Sequence, residues 1–333
     1  MLLINEKQVQ EVVTIKMTLP VLKKAYEDCV KGEIYAGNRV FMPVRGQENV
    51  GQWLVANFTN APYFGSKFSS VFPGNIFKGM PSVMSKVSLY SAETGDLLAL
   101  IDANYLTAIK TAGSAAIATD ILARKEACRL GIIGSGLQAF SQVLAIQEVR
   151  EIKELYIFDI ASERVRSFIE HIKKVQNRPY RIIEARTADD CVSSSDILCT
   201  CTTSLTPVFS GSNVKPGTHI NAIGSFTSFM QEIDEETVIR SDKVITEHVE
   251  GLWEAAGDII IPFEKGLITE DKIDGSIGDI LTNKISGRDN NQQITLYESV
   301  GSGVLDIALS IAVYDYYHGS AQHLATSNDM DHL

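Results

Sequence analysis

The chain has 333 residues, of which 45% are apolar, and a formal net charge of −11 at pH 7. This length and apolar content predict about two domains, each large enough to bury a core. The negative charge argues against nucleic acid or an anionic membrane as a partner. No apolar run approaches the roughly 20 residues of a membrane span, and the segment MLLINEKQVQEVVTIK lacks the features of a signal peptide.

The cysteines are odd in number and scattered, at positions 29, 128, 191, 199 and 201. This usage is typical of a reducing compartment, so we expect a cytoplasmic protein. Cys199 and Cys201 would lie on the same side of a strand, but no histidine has the spacing to complete a metal site with them. We therefore expect no metal.

The first third of the chain predicts a helix followed by an antiparallel sheet. Apolar residues recur at helical spacing over residues 19–30. Short alternating segments follow, separated by turn signals such as PGNIFKGMPS and AETGD, and such hairpin signals favour antiparallel pairing. The predicted strands are residues 39–44, 52–58, 65–71, 83–91 and 97–102. Residues 107–123, rich in alanine, isoleucine and threonine, predict a buried helix.

The segment LGIIGSGLQAFSQVLAIQ, residues 130–147, predicts a dinucleotide site. An apolar strand runs into a glycine turn and then into a helix. Gly134 suits the tight turn, Gly136 lets the backbone approach a pyrophosphate, and Ala139 permits close packing of the helix on its strand. The phosphates would lie at the helix N-terminus, where free N–H groups and the helix dipole favour anions.

An acidic residue follows at the place that such a site needs. The next predicted strand, residues 154–160, carries Asp159 near its end, 20 residues beyond Ala139. A carboxylate there accepts hydrogen bonds from the adenosine ribose and repels a 2′-phosphate, which favours NAD over NADP. The alternatives are that Asp159 is an ordinary loop residue, or that Arg164 and Arg166 on the following helix receive the phosphate of NADP.

Strands and helices alternate after Asp159. Helices are predicted at residues 162–174 and 188–194, and strands at 180–185, 197–201, 219–223 and 243–246. This alternation indicates a parallel, doubly wound sheet. The segment SVGSGVLDIALSIAVYDYYHG near the end predicts a long amphipathic helix that returns to the first domain.

Six segments in order make the whole chain resemble one family. They are GSKFSSVFPGN, YSAETGDLLALIDANYLTAIKTAGSAAIATDILAR, GIIGSGLQA, CTTSLTPVF, HINAIGSF and LYESVGSGVLDIA. Together they are similar to the ornithine cyclodeaminase and mu-crystallin family over roughly residues 39–317. The resemblance implies a homodimer in which residues 1–112 and 304–333 form a mixed α+β substrate-binding and dimerisation domain. It also implies that residues 113–303 form an inserted Rossmann domain.

The shared chemistry of this family is hydride transfer between nicotinamide and the α carbon of an amino acid or its imine. Such a site must hold a carboxylate, orient the C=N carbon and supply a proton to nitrogen. The resemblance implies that Arg39, Lys67 and Lys110 surround the carboxylate. If Lys67 is partly buried beside Arg39, its pKa would be lowered and it could donate the proton, so we expect it to face the nicotinamide ring. Without the resemblance, Arg39 and Lys67 would be read as ordinary solvated charges on half-exposed strands.

The resemblance also implies the coenzyme contacts. They are Thr111, Gly134, Ser135, Gly136, Leu137, Gln138, Asp159, Thr202, Thr203, Ile223, Ser299 and Gly301.

Two departures from the family pattern bear on the substrate. Lys110 stands where the family has an arginine, and a lysine cannot make the same planar two-point contact with a carboxylate. Phe226 stands where cyclodeaminases carry an aspartate that handles the substrate amine, and the next carboxylate, Glu232, falls outside the expected site. A phenyl ring cannot take a proton, so we expect Phe226 to contact a substrate with an apolar feature.

We therefore predict an NAD-dependent amino-acid dehydrogenase or imine reductase that acts on a small amino or imino acid. The alternatives are a cyclodeaminase of a basic amino acid and a nucleotide-dependent small-ligand binding protein without turnover.

Overall fold

The computed structural model describes residues 1–45, 49–176 and 178–328. They form two compact units. The first unit comprises Met1–Lys110 and the segment that begins at Gly303, and the second unit is Thr111–Ser302. No helix in the described ranges is long and apolar enough to cross a membrane.

A mixed sheet and three helices come first along the chain. The strands are β1 (Leu2–Ile4), β2 (Ile34–Ala36), β3 (Val40–Val44), β4 (Asn49–Phe58), β5 (Tyr63–Val71), β6 (Val83–Ser91) and β7 (Leu97–Asp102). The helices are α1 (Glu6–Val12), α2 (Ile15–Val30) and α3 (Asn104–Leu122). The strand order is β1-β7-β6-β5-β4-β2, with β3 also paired to β4. The predicted antiparallel pairing is confirmed from β3 to β7.

Several details of this region differ from the sequence prediction, and helix α1 and strand β2 were not predicted. Strand β1 pairs in parallel with β7, and its three residues are too short to show an alternation. Helix α2 begins at Ile15 because the Thr14 side chain caps it, whereas Pro20 in its interior obscured the first turn. Strand β3 begins at Val40, so Arg39 precedes the strand.

The second unit is an α/β fold built on a parallel sheet. Its strands are β8 (Arg129–Ile133), β9 (Glu154–Phe158), β10 (Arg181–Glu184), β11 (Ile197–Thr200), β12 (His219–Ala222), β13 (Lys243–Thr246), β14 (Gly275–Ser276) and β15 (Thr295–Glu298). Its helices after α3 are α4 (Leu137–Val149), α5 (Ser162–Val175), α6 (Ala188–Ser194), α7 (Glu235–Arg240), α8 (Val249–Ala255), α9 (Gly257–Glu264) and α10 (Ile277–Leu281). The order is β10-β9-β8-β11-β12-β15-β13-β14. The predicted doubly wound fold is confirmed.

The sheet order places a crevice at the glycine turn. Strands β9 and β10 lie on one side of β8, and β11 and β12 lie on the other. The connections after β8 and β11 therefore leave the sheet in opposite directions, which opens a crevice at the carboxyl ends of these strands. Strand β9 ends at Phe158, so Asp159 follows the strand instead of lying within it.

The last helix, α11 (Gly303–Asn328), belongs to the first unit. It contacts α2, β4, β5 and β6. The predicted amphipathic pattern is wrong for its first part, since Gly303 to Ser310 are all buried. A helix covered by a sheet on one side and a helix on another has no solvent face along that stretch.

Candidate active site

Two glycines bring α11 close to the inner face of the first unit's sheet. A Cβ on Gly65 of β5 would lie 3.1 Å from Ile307, and a Cβ on Gly303 would lie 2.6 Å from Leu54. Lys67 lies two residues after Gly65 and therefore points to the same face of β5. The close approach thus places the first turns of α11 over Lys67.

A buried carboxylate of α11 links two lysines. Asp306 Oδ1 accepts a hydrogen bond from Lys67 Nζ at 2.9 Å, and its Oδ2 lies 3.4 Å from Lys110 Nζ. The side chains are 6%, 1% and 0% exposed for Lys67, Lys110 and Asp306. Thr107 Oγ1 is 3.3 Å from Asp306 Oδ1, but it lies only 2.6 Å from the Ala103 carbonyl oxygen, which takes its single proton. The two ammonium groups are therefore the main partners of this carboxylate.

The lysine-aspartate cluster, Lys67, Lys110 and Asp306, has shifted proton affinities. Burial lowers the pKa of Lys67, and the positive charges of Lys110 and Arg39 lower it further, against the opposing effect of Asp306. Burial alone would raise the pKa of Asp306, but the charges of Lys110 and Lys67 outweigh it and hold that pKa below its usual value. The cluster thus keeps an ionised carboxylate beside a lysine that gives up its proton more readily than usual.

Arg39 adds a third positive charge on this side of the first unit. It is half-buried in the loop just before β3, and its guanidinium lies 5.9 Å from the centre of the Phe41 ring. The structure thus brings Arg39, Lys67 and Lys110 into one electrostatic neighbourhood, as the effect of Arg39 on the pKa of Lys67 shows.

The glycine turn of the second unit has the geometry that a pyrophosphate needs. Gly134 has φ of +94°, and a Cβ there would lie 2.7 Å from the Cys201 carbonyl oxygen, so only glycine fits. Gly136 is the N-cap of α4, without a side-chain cap, and a Cβ on it would meet no atom within 4 Å. Open space in front of uncapped N–H groups fits the phosphates of a dinucleotide.

Asp159 lies beside this turn. Its carboxylate accepts hydrogen bonds from Ser135 N at 2.9 Å, Ser135 Oγ at 2.7 Å and Ala161 N at 3.0 Å. It also lines a cavity of about 430 Å³ together with Phe158, Ile160, Ser162, Glu184, Ala185 and Arg186. A carboxylate offers about four lone-pair directions, so Asp159 can still accept a hydrogen bond from a ligand in this cavity. Arg164 and Arg166 are exposed on α5, and Arg186 was not singled out from the sequence.

Glu232 connects the loops that follow β11 and β12. Its buried carboxylate accepts hydrogen bonds from Thr202 N and, at 2.7 Å, from Gly224 N. From the sequence, Glu232 is expected to lie outside the site that handles the substrate amine. In the structure it accepts a hydrogen bond from the loop of Thr202, a predicted coenzyme contact. Its spacing from the glycine of NAIG gave no signal of this, because the contact is made by backbone N–H groups.

Glu232 belongs to a wider group of buried acids in the second unit. Asp258 accepts hydrogen bonds from Glu232 N at 2.7 Å and Ile233 N at 2.9 Å. Burial and the charge of Glu232 raise the pKa of Asp258 to about 8. Burial, followed by repulsion from Asp258 and Glu232, raises the pKa of Glu298 far above its usual value. We call Glu232, Asp258 and Glu298 the buried acid cluster.

The remaining predicted residues all lie in the second unit. Thr111 is buried on α3, and Leu137 and Gln138 form the first turn of α4. Thr203 is exposed after β11, whereas Ile223 and the half-buried Phe226 follow β12. Ser299 and Gly301 follow β15, and Ser299 Oγ donates to Glu247 at 3.1 Å.

The residue that sequence reasoning missed in the first unit is Asp306. A carboxylate in the apolar run GVLDIALSIA was the available signal, because an acid in a buried helix needs a charged partner.

Fold and site together define a Rossmann-type dinucleotide-binding protein with a separate unit that buries a cationic cluster. The model of the ornithine cyclodeaminase/mu-crystallin family matches residues 1–321, and the chain belongs to this family. The resemblance deduced from the six sequence segments is confirmed.

Similar proteins have related activities. A Delta(1)-pyrroline-2-carboxylate reductase of Bacillus thuringiensis is 31% identical over 287 residues, covering 84% of this chain and 87% of that protein. The same enzyme from Thermococcus litoralis, solved in complex with NADH and L-proline, superposes with a TM-score of 0.92 at 31% identity, covering 96% and 98% of the two chains. An archaeal alanine dehydrogenase dimer with bound NAD gives a TM-score of 0.89 at 28% identity, covering 96% and 97%.

Proposed function

We propose that this protein is an NAD(H)-dependent imine reductase whose preferred substrate is Δ1-pyrroline-2-carboxylate, which it reduces to proline. The observation that carries this proposal is the buried lysine-aspartate cluster of the first unit. Its support is the similarity to pyrroline-2-carboxylate reductases over most of the chain.

The charge of the cluster suits a carboxylate substrate. Two ammonium groups share one carboxylate, so the cluster keeps a net positive charge in a buried place. Arg39 adds to it and, being half-buried, can offer its planar guanidinium to a ligand. A substrate carboxylate would compensate this excess charge, which gives the site a preference for anions over neutral amines.

The chemistry requires one hydride and one proton. NADH, when bound, supplies the hydride to the carbon of the C=N bond, and the electron pair of that bond moves to nitrogen. Lys67 then gives a proton to the nitrogen and becomes a neutral amine, which solvent reprotonates. A lysine whose pKa is lowered by burial transfers its proton more readily than a solvated one, which makes Lys67 the fitting donor in this cluster.

The coenzyme is NAD(H), as the sequence predicted, and two of the similar solved structures hold NADH and NAD. We assign the pyrophosphate to the turn at Gly134 and Gly136 and the adenosine to the cavity beside Asp159. Asp159 is half-buried at the cavity wall, where its carboxylate would repel a 2′-phosphate.

Phe226 favours a substrate without a second amino group. Where a cyclodeaminase needs a carboxylate, this chain offers an apolar ring, which is compatible with the methylene groups of a pyrroline. A second candidate, alanine dehydrogenase, is favoured by the similarity to the archaeal alanine dehydrogenase. An open-chain imine formed from pyruvate and ammonia would be its substrate.

A substrate panel tests the proposal. NADH oxidation is measured with Δ1-pyrroline-2-carboxylate, with its six-membered homologue, with pyruvate plus ammonium, and with pairs of keto acids and amines. We expect the highest kcat/KM for the five-membered imine. A higher value for pyruvate plus ammonium would favour alanine dehydrogenase. Tight NADH binding without any turnover would favour the ligand-binding alternative, and conversion of ornithine to proline would favour a cyclodeaminase.

We also propose that the protein is a homodimer formed through the first unit. Val40 and Met42 on β3 and Val55 on β4 are each at least 41% exposed, and they share one face of two paired strands, which gives this unit an apolar surface. An alanine dehydrogenase of similar fold is a dimer. Light scattering at micromolar concentration should give twice 36.5 kDa, and a species of 36.5 kDa alone would contradict the proposal. The cytoplasmic location inferred from the cysteines stays a prediction.

A further inference from the structure

We propose that Asp306 is the positioning residue of the active site: its carboxylate fixes the two lysine ammonium groups and keeps Lys67 charged, so that Lys67 can give its proton to the imine. This inference rests on the proposed function. It concerns a residue that touches the lysines and not the substrate.

Geometry supports this role first. Asp306 is fully buried on the covered part of α11, where a carboxylate has no access to water. Its two oxygens are divided between the lysines, one 2.9 Å from Lys67 Nζ and the other 3.4 Å from Lys110 Nζ. A side chain with four rotatable bonds, such as lysine, is held in one place only if its ammonium group has a fixed partner.

The charges around Lys67 also support the positioning role of Asp306. Among the described residues, the charged groups that act on Lys67 are Asp306 on α11, Lys110 on α3 and Arg39 before β3. Asp306 is the one anion of this set, and it offsets both burial and two positive neighbours. Lys86 of the adjacent strand β6 is register partner of Phe68, so it lies on the other face of the sheet, paired with Asp102.

Removal of the Asp306 carboxylate should therefore lower the pKa of Lys67, so that Lys67 becomes neutral at a lower pH. In Asp306→Asn, burial and the charges of Lys110 and Arg39 act on Lys67 without opposition, so Lys67 loses its proton at a lower pH. A merely structural role of Asp306 would lower stability or activity without moving this ionisation. Removal of a positive neighbour, in Lys110→Met, should move it in the opposite direction.

The test is the pH dependence of kcat/KM for imine reduction, whose alkaline limb reports the proton donor of the free enzyme. We expect this limb to shift to lower pH by at least ~1 unit in D306N and to higher pH in K110M. At pH 8, kcat/KM of D306N should fall at least ~30-fold, with NADH affinity within about twofold of the unmodified protein. The substrate's own ionisation contributes equally to every variant, so only differences between variants are interpreted.

Two further variants control for folding and for charge. Asp306→Glu keeps the anion and should keep the position of the limb, although its longer side chain lowers kcat. Asp102→Asn makes the same chemical change beside a lysine on the outer face of the same sheet, and its profile should match the unmodified protein. The proposal is overturned if D306N and K110M keep the limb in place, or if D306E moves it as far as D306N does. If D306N does not fold, the proposal is overturned when K110M keeps the limb in place or when D306E shifts it to lower pH by ~1 unit or more.

A readout without turnover separates this proposal from the proposed function. The protein is prepared with lysine labelled with ¹³C at Cε, and the Lys67 signal is assigned from its loss in Lys67→Met. The titration midpoint of this signal should be lower in D306N than in the unmodified protein. If no imino acid is reduced but the midpoint moves, the proposed function fails and the role of Asp306 stands. If reduction is normal and the midpoint does not move, Asp306 has no such role.

Discussion

The two units bury charge in opposite ways. The lysine-aspartate cluster of the first unit combines two cations with an anion. The buried acid cluster of the second unit combines Glu232, Asp258 and Glu298, and in the described ranges of the chain no lysine or arginine donates a hydrogen bond to them. Opposite charges stabilise each other where water is excluded. Buried carboxylates repel each other, and this repulsion is removed only when a carboxyl group keeps its proton. The first cluster is therefore suited to hold an ionic ligand, and the second to hold protons.

The difference predicts opposite responses to pH. The pKa of Lys67 is lowered on folding, so the unfolded chain binds more protons between that pKa and about 10.5, and stability rises with pH in this window. The pKa of Asp258 is raised from 3.8 to about 8, so the folded chain binds more protons in that window. Its contribution to stability is complete below about 4 and is lost as the pH rises through about 8.

The largest effect is expected from removing the proton donor. Lys67→Met keeps the length of the stem and removes the charge, and we expect kcat/KM for imine reduction to fall at least ~100-fold, about 2.7 kcal/mol of transition-state stabilisation. NADH affinity should be nearly unchanged, because the predicted coenzyme residues lie in the second unit. Lys86→Met, which removes an exposed lysine from β6, is the matched control. Near-normal turnover of the Lys67 variant would exclude Lys67 as the donor and make Lys110 the next candidate.

Replacing Asp258 in the buried acid cluster tests the predicted loss of stability as the pH rises. Asp258→Asn resembles the protonated acid, and its carbonyl oxygen can still accept from Glu232 N and Ile233 N. The contribution of Lys67 is common to both proteins, so the difference between them isolates Asp258. At roughly 1.4 kcal/mol per pKa unit, we expect the melting temperature of D258N to rise relative to that of the unmodified protein by at least ~5 °C between pH 6 and pH 9. Glu264→Gln, an exposed change at the end of the same helix, should melt as the unmodified protein does at both pH values. The same difference in melting temperature between D258N and the unmodified protein at both pH values would contradict the raised pKa of Asp258.

Arg39 tests whether the first cluster binds the substrate carboxylate. Arg39→Met should raise KM for the imino acid about 10-fold and change kcat by less than about twofold, because the contact is made equally in the ground and transition states. The KM of Arg39→Lys should lie between those of Arg39→Met and the unmodified protein, since lysine keeps the charge but not the planar contact. A fall in kcat at constant KM would instead place Arg39 at the reacting atoms.

The smallest effect is expected at the coenzyme. The unmodified protein should bind NADH more tightly than NADPH, and Asp159→Ala should reduce this preference several-fold, because the repulsion of the 2′-phosphate is removed. Loss of the hydrogen bonds to Ser135 and Ala161 will weaken the binding of both coenzymes. The ratio of the two dissociation constants is therefore measured by fluorescence titration. Glu163→Ala, a nearby exposed acid on α5, should leave the ratio unchanged. A preference of the unmodified protein for NADPH would refute the role of Asp159.

Local patterns predicted most of the fold. The glycine turn, the alternation of strands and helices and the hairpin signals each depend on neighbours in sequence, and the antiparallel and parallel sheets follow from them. The capped start of α2 and the three-residue strand β1 were missed, because a cap that precedes an interior proline and a short parallel pairing have weak local signals.

The site was less accessible to sequence reasoning. Lys67 and Asp306 are 239 positions apart, so no spacing rule joins them, and only the packing of α11 against β5 brings them together. The contacts of Glu232 were likewise not predicted, because its partners are backbone N–H groups that carry no sequence signature. Lys67 itself was found through the family resemblance, since a lysine on an alternating strand usually indicates a solvated face.

The most direct test of the account follows the hydride. The protein is incubated with Δ1-pyrroline-2-carboxylate and NADH that carries deuterium at one of the two C4 positions, and the proline formed is analysed by NMR. We predict one deuterium per turnover at the α carbon from only one of the two labelled coenzymes, and a rate at least ~100-fold lower with Lys67→Met. Oxidation of both labelled coenzymes without deuterium at the α carbon of proline, or no proline from either coenzyme, would contradict the account.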